Sequence, residues 1–173
     1  MMQQDITRLD RVANRFERIG RPPRRDVIDV GALAARMAAY FADRVPQIQH
    51  RVLVTAQRPE SPVTVRGDEV LLEWVAEVLV KNAIDALGGR GGHITVMALP
   101  IAEGGGILRV QDDGPGVPRH MRQRIFDPGY STKERGWGIG LALARRIVEE
   151  NHGGRLVLLD TPQGATFDVR LPA

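Results

Sequence analysis

Three groups of residues have the types and spacing to do chemistry. In VQDDGPGV, Val110 to Val117, Asp112 closes a predicted strand and Gly114 and Gly116 follow it. A carboxylate at a strand end can point into a crevice, and the glycines let a flat ligand approach the backbone. Asp113 alternates to the other side, toward solvent. Gly136, Gly138 and Gly140 come directly before LALARRIV, which reads as a helix. Unpaired N–H groups at a helix start, approachable through glycines, suit phosphate. The pattern lacks the preceding strand of a dinucleotide fingerprint and is not GxxxxGK[ST]. Asn82, in EVLVKNAIDAL, shares a helical face with Val78, Leu79 and Ala86, and Asp85 lies three residues on. Burying an unpaired amide is costly, so a ligand or metal partner is the economical explanation, with the capping of a backbone kink or a bound water as the alternative. Taken singly, DDG is also a common turn and GxGxG a common loop.

These groups need elements to position them. Ile6, Leu9, Val12, Phe16 and Ile19 step by three and four, an amphipathic helix that ends at Gly20. RPPRR then reads as a stiff basic linker that holds this helix away from the remainder of the chain. Such a helix is marginal alone and needs a partner surface, either its own domain or another helix. VIDVGALAARMAAYFADRV predicts a second helix with Asp29 as its cap. RVLVTA and PVTVRG read as strands, and Asp68 caps a long helix that the glycines from Gly88 to Gly92 end. HITVMAL and GILRVQD form a hairpin, PRHMRQRIFD a short helix, and PGYSTKERGWGIG a loop. LALARRIVEENHGG is a glycine-closed helix, and RLVLLD with ATFDVRLP makes the last hairpin. The pattern is α+β, a two-layer α/β sandwich whose mixed sheet carries helices on one face, preceded by the short amphipathic helix. A doubly wound sheet would instead alternate strands with crossover helices.

Composition narrows the classes. The first 25 residues carry seven Arg against three acids, while the rest of the chain nets −1. The basic excess is therefore local and does not describe a nucleic-acid surface. The absence of Cys excludes disulfides and thiolate zinc sites and fits a reducing compartment. No stretch is apolar enough to span a bilayer, and the first residues lack the apolar core of a secretory signal. These residues are expected to make no membrane contact and to lie in the cytoplasm, which leaves open an anchor upstream. Only Lys81 and Lys133 among the 24 basic residues are lysines.

The order of the pieces, NAIDAL, DDGPGV, IFDPGYSTKERGWGIGLALARRIVEENHGG and GATFDVRLP, closely resembles the ATP-binding catalytic domain of sensor histidine kinases. That superfamily includes type II topoisomerases, the Hsp90 chaperones and MutL, and its fold is the Bergerat type. The resemblance runs from Asp26 to Pro172. It implies ATP and Mg²⁺ as cofactors, with Asn82 as the metal ligand and Asp85 beside it. Asp112 would accept the adenine amino group, with Gly114 and Gly116 shaping that wall. Phe126 would seat a lid whose Thr132 and Lys133 reach the phosphates. Gly136, Gly138, Ile139, Gly140 and Leu141 would turn the chain around them, and Thr166 would close the base pocket. Glu77 is a candidate assistant to Asn82 and Lys133 in catalysis.

The resemblance further implies a division into the end of a second dimerisation helix (1–20), a linker (21–27) and the catalytic domain (28–173). The family usually has a polar residue one turn before the Asn, where this chain has Val78, and valine cannot ligate Mg²⁺. None of His50, His93, His120 and His152 lies in the first helix, so the acceptor histidine is expected on a dimerisation domain outside this chain. A response regulator would be the partner downstream. Alternatives are a nucleotide-binding regulator of weak activity, which Val78 allows, and a non-enzymatic interaction module.

Overall fold

The computed structural model describes residues 20–48, 52–128 and 140–173, with Ile6, Leu9, Asp10, Ala13, Arg15, Glu17 and Arg18 of the amino-terminal segment. Helix α1, Val30–Ile48, starts where Asp29 Oδ1 accepts the Ala32 N–H at 3.0 Å. The cap agrees with the sequence, but the helix does not reach back to Val27. Asp26–Asp29 instead form strand β1, antiparallel to β3, Thr64–Gly67. Ile28 turns into the core while Val27 stays exposed, a period of two in a strand too short to stand out beside an Ala-rich helix.

Helix α2, Glu69–Leu87, has its expected bounds. Asp68 caps it, and Gly88 closes it at φ 56°, a left-handed conformation natural to glycine, with its N–H on the Asp85 carbonyl. Leu71, Leu72, Val75, Leu79, Val80, Ala83, Ile84 and Leu87 are all buried, so α2 is apolar around most of its circumference and runs through the centre of the domain. Full burial of such a side chain stabilises by about 1.5–3 kcal/mol.

The main sheet contains β2, Val52–Gln57; β4, Gly92–Pro100; β5, Gly106–Asp112; β6, Arg155–Leu158; and β7, Ala165–Leu171. Their order is β2-β4-β5-β7-β6; β2 and β4 are parallel and the other pairs antiparallel. The parallel pair needs a crossover, which β3 and α2 supply. Strand alternation sends Ile94, Val96, Leu108, Val110, Phe167 and Val169 into the core. The opposite face carries polar residues, including Arg109, which grips Asp168 through two bonds of 2.7 and 2.9 Å. A mixed sheet with helices on one face is the architecture expected.

Where one short helix is expected after Pro118, the chain forms two 3₁₀ turns, Arg119–Met121 and Arg124–Phe126. Helix α3, Gly140–Arg146, continues as a π-helical turn, Ile147–Asn151, before the glycine pair. The helical residues of the amino-terminal segment are seated on α2 through arginines. Arg15 pairs with Glu77 and lies over the Trp74 ring at 5.3 Å, and Arg18 holds Asp68. The prolines of the linker therefore do not keep this segment clear of the domain. Ile6 and Leu9 remain exposed; Val12, Phe16 and Ile19 lie outside the described residues. No described helix is long and apolar enough to cross a membrane.

Candidate functional site

One face of α2 joins the groups that the sequence singles out. Val78, Asn82 and Ala86 fall at steps of four, nearly in line. At the first of them, a side chain on Gly140 would stand 3.3 Å from Val78 Cγ1, so α3 begins against α2. At the last, a side chain on Gly114 would meet the Ala86 carbonyl and Leu87. The loop after β5 therefore abuts the other end of the same face. Asn82 sits between them, half-buried. Eight residues of helix span about 12 Å. Gly140, Asn82 and Asp112 thus share one side of the molecule along a track of that length.

Asp112 is 5% exposed at the end of β5. Oδ1 accepts the Gly114 N–H at 2.9 Å and the Ala165 N–H at 3.4 Å, which fixes the carboxylate from two loops. Burial pushes its pKa up, against the lowering effect of those two N–H groups, and the charge of Asp113 adds to the rise. The turn before β7 approaches it closely: Gly164 adopts φ 65°, and any Cβ there would collide with the Asp112 carbonyl. Asp113 turns away as expected and accepts the His93 N–H at 2.8 Å.

Thr166 is not brought to this pocket. In the β5–β7 register Asp112 faces Ala165, while Thr166 faces Gln111. Alternation therefore puts the Thr166 side chain on the other side of the sheet from Asp112. There its hydroxyl is buried with no hydrogen-bond partner. Ala165 is the residue that reasoning from the motif missed, and counting register across the hairpin was the signal for it.

Glu77 is buried, but its carboxylate is engaged by Arg15 and by Lys81 at 3.2 Å. It lies about 100° around α2 from Val78, off the Val78–Asn82–Ala86 face. Asp85 is exposed near the end of α2. Phe126 packs edge-on against Phe167, with the Arg145 guanidinium 5.2 Å from its ring. It anchors the chain just ahead of the glycine-rich segment. Leu141 packs against the core directly after Gly140. Gly116 takes φ 79° with its Cα facing the Gly164 carbonyl, so it belongs to the wall beside Asp112. Thr132, Lys133, Gly136, Gly138 and Ile139 lie outside the described residues. A cleft of about 590 Å³ lies beside Phe126, lined by Arg122, Arg145, Leu156 and Leu158. Neither Asp112 nor Asn82 lines it, so it neighbours the site without being part of it.

Asn82 offers the hard oxygen that Mg²⁺ takes, and Val78 offers none. No group of three or more His, Cys, Asp or Glu able to hold a metal occurs among the described residues. A Mg²⁺ ion at Asn82 would take one side-chain oxygen there and its remaining ligands from phosphates and water.

Residues 67–173, more than half of the chain, match the model of the histidine kinase-, DNA gyrase B- and HSP90-like ATPase family. The C4-dicarboxylate transport sensor protein DctB of Rhizobium meliloti is 34% identical over 65% of this chain, which spans 18% of that protein. The sensory histidine kinase/phosphatase NtrB of Salmonella typhimurium is 30% identical over 77% of this chain, which spans 44% of it. The nucleotide-free catalytic domain of the histidine kinase ThkA superposes with a TM-score of 0.74 at 25% identity, covering 86% of this chain and 95% of that domain. The chain thus spans less than half the length of either curated relative. It belongs to the histidine kinase-, DNA gyrase B- and HSP90-like ATPases, and within them it is the ATP-binding catalytic domain of a sensor histidine kinase.

Proposed function

We propose that this domain transfers the γ-phosphoryl group of ATP to a histidine on the dimerisation domain of the same protein. The observation that carries this reading is the α2 face, with Gly140 at one end, Asp112 at the other and Asn82 between them. Asp112 Oδ1 is taken up by two backbone N–H groups, which leaves Oδ2 to accept the adenine amino group. Asn82 would hold Mg²⁺, which when bound neutralises phosphate charge. Gly140, Leu141 and the segment with Thr132, Lys133, Gly136, Gly138 and Ile139 would enclose the phosphates, with Phe126 as its base. Gly114 and Gly116 shape the adenine wall. Phosphoryl transfer asks the protein for positioning and charge compensation more than for covalent chemistry. Its partners would be that dimerisation domain, of which residues 1–20 form the end and 21–27 the linker, and a response regulator downstream. ThkA has been solved with the response regulator TrrA.

Val78 favours a second reading, a nucleotide-binding regulator with weak transfer activity, because it supplies no oxygen one turn before Asn82. The test is labelled-phosphate transfer from Mg·ATP to a supplied dimerisation domain. Acid-labile, base-stable label on the acceptor is the expected result. ATP binding without transfer, relieved by Val78→Asn, would favour the regulator.

A further inference from the structure

The entry to α2 joins three chain segments and lies outside the nucleotide site. Asp68, 1% exposed, accepts Arg18 Nη2 at 2.7 Å and Nε at 2.9 Å, and the Arg24 N–H at 3.0 Å, all on Oδ2. Oδ1 accepts the Leu71 N–H of the helix it caps. Its own N–H donates to Nε2 of His152 at 3.0 Å. His152 is 2% exposed, and its Nδ1 meets the Ile147 carbonyl at 3.0 Å. That pairing assigns the proton to Nδ1 and makes Nε2 the acceptor. The ring packs against the bare backbone of Gly67 in β3, since a side chain there would stand only 2.8 Å from His152 Cδ2. Arg18 also donates to the Pro22 carbonyl at 3.0 Å, so one guanidinium binds the linker to itself and to Asp68.

We propose that Asp68 and His152 are positioning residues that couple the seating of the Arg18–Arg24 segment to the helix beginning at Gly140. With Arg18 withdrawn, Asp68 is a buried carboxylate short of its cation, an unfavourable state that admitting water or loosening the first turn of α2 relieves. The bond to His152 leaves from the same residue, so the loosening reaches the π-helical turn and α3. The neighbouring Arg36–Glu69 pair is half-exposed on both sides and gives the contrast, since such pairs contribute little. The effect on ATP rests on the function proposed above; the coupling itself does not.

Hydrogen exchange on the full chain without nucleotide tests it. Arg18→Ala should speed exchange of amides 141–151 by about five- to tenfold, the lower range of inter-site coupling. Arg36→Ala should leave them unchanged. In a His152→Phe background the Arg18→Ala effect should largely vanish. Wild-type exchange at 141–151 in Arg18→Ala, or full additivity of the two changes, overturns the proposal. If His152→Phe does not fold, the comparison of Arg18→Ala with Arg36→Ala decides alone. Affinity for an ATP analogue should fall alongside in Arg18→Ala. Failure of the wild type to bind any adenine nucleotide would count against the nucleotide site, while the exchange comparison still decides the coupling.

Discussion

Of the buried aspartates, Asp68 stands at the start of α2 and Asp112 beside its end, and their surroundings differ in kind. Asp68, at the start of α2, has a guanidinium and two backbone N–H groups on its carboxylate. Burial alone would raise its pKa, but the hydrogen bonds from Arg24, Arg18 and Leu71 outweigh it and hold the pKa below the ordinary value. Asp112, at the end of β5, has two N–H groups on one oxygen and no cation, and burial wins. A carboxylate whose bonds are all made within the protein is an anchor. One kept desolvated with an oxygen unspent is disposed to receive a ligand's donor. Burial does not distinguish the two; the inventory of partners does.

The largest effect expected from this contrast is on stability. Asp68→Ala removes a helix cap and strands Arg18, at a cost of about 3 kcal/mol, seen as a thermal midpoint lower by roughly 10 °C. Next is pH. Burial, chiefly, pulls the pKa of His152 below its usual value. Its contribution to stability is then complete above about pH 6.5 and is lost as pH falls through that value toward the folded pKa. The slope from this one proton is at most about 1.4 kcal/mol per pH unit. Asp68, with its pKa depressed, holds its contribution to lower pH, so His152 rather than Asp68 is expected to lose stability between pH 7.5 and 5.5. His152→Gln should flatten thermal melts across that window. Asp112→Asn should behave opposite to the Asp68 change. Asp112 has a raised folded pKa, so at neutral pH its ionised form opposes folding, and the amide should leave the midpoint unchanged or raise stability by about 1 kcal/mol. A midpoint drop like that of Asp68→Ala would erase the distinction. Smallest, Val78→Asn should strengthen Mg²⁺-dependent binding of an ATP analogue only about threefold, because Mg²⁺ bound as proposed would take most of its ligands from phosphates and water.

The long elements are legible in the sequence because their signals are redundant. Helix α2 has a cap, a periodic apolar body and a terminating glycine, and together these mark its bounds. Strand β1 offers four residues and a single buried side chain, Ile28, too little to separate from the helix after it. Asp112 is legible because a strand, an acid and two glycines converge there. Thr166 is misplaced by its motif because strand facing depends on register, and a one-residue difference moves a side chain to the opposite face. The Asp68 junction is not legible at all beyond its cap role. Its partners, Arg18 and His152, lie 50 and 84 residues away, and nothing local announces them.

On the proposed function, Asp112 reads an adenine ring at the end of the α2 face. Calorimetric titration of ATP and GTP analogues with Mg²⁺ into wild type and Asp112→Ala tests it most directly. Wild type should prefer the adenine analogue by at least about tenfold, and Asp112→Ala should lose that preference along with about ten- to a hundredfold of adenine affinity, while its melt remains cooperative. Equal binding of both analogues by wild type, or unaltered adenine affinity in Asp112→Ala, would contradict it.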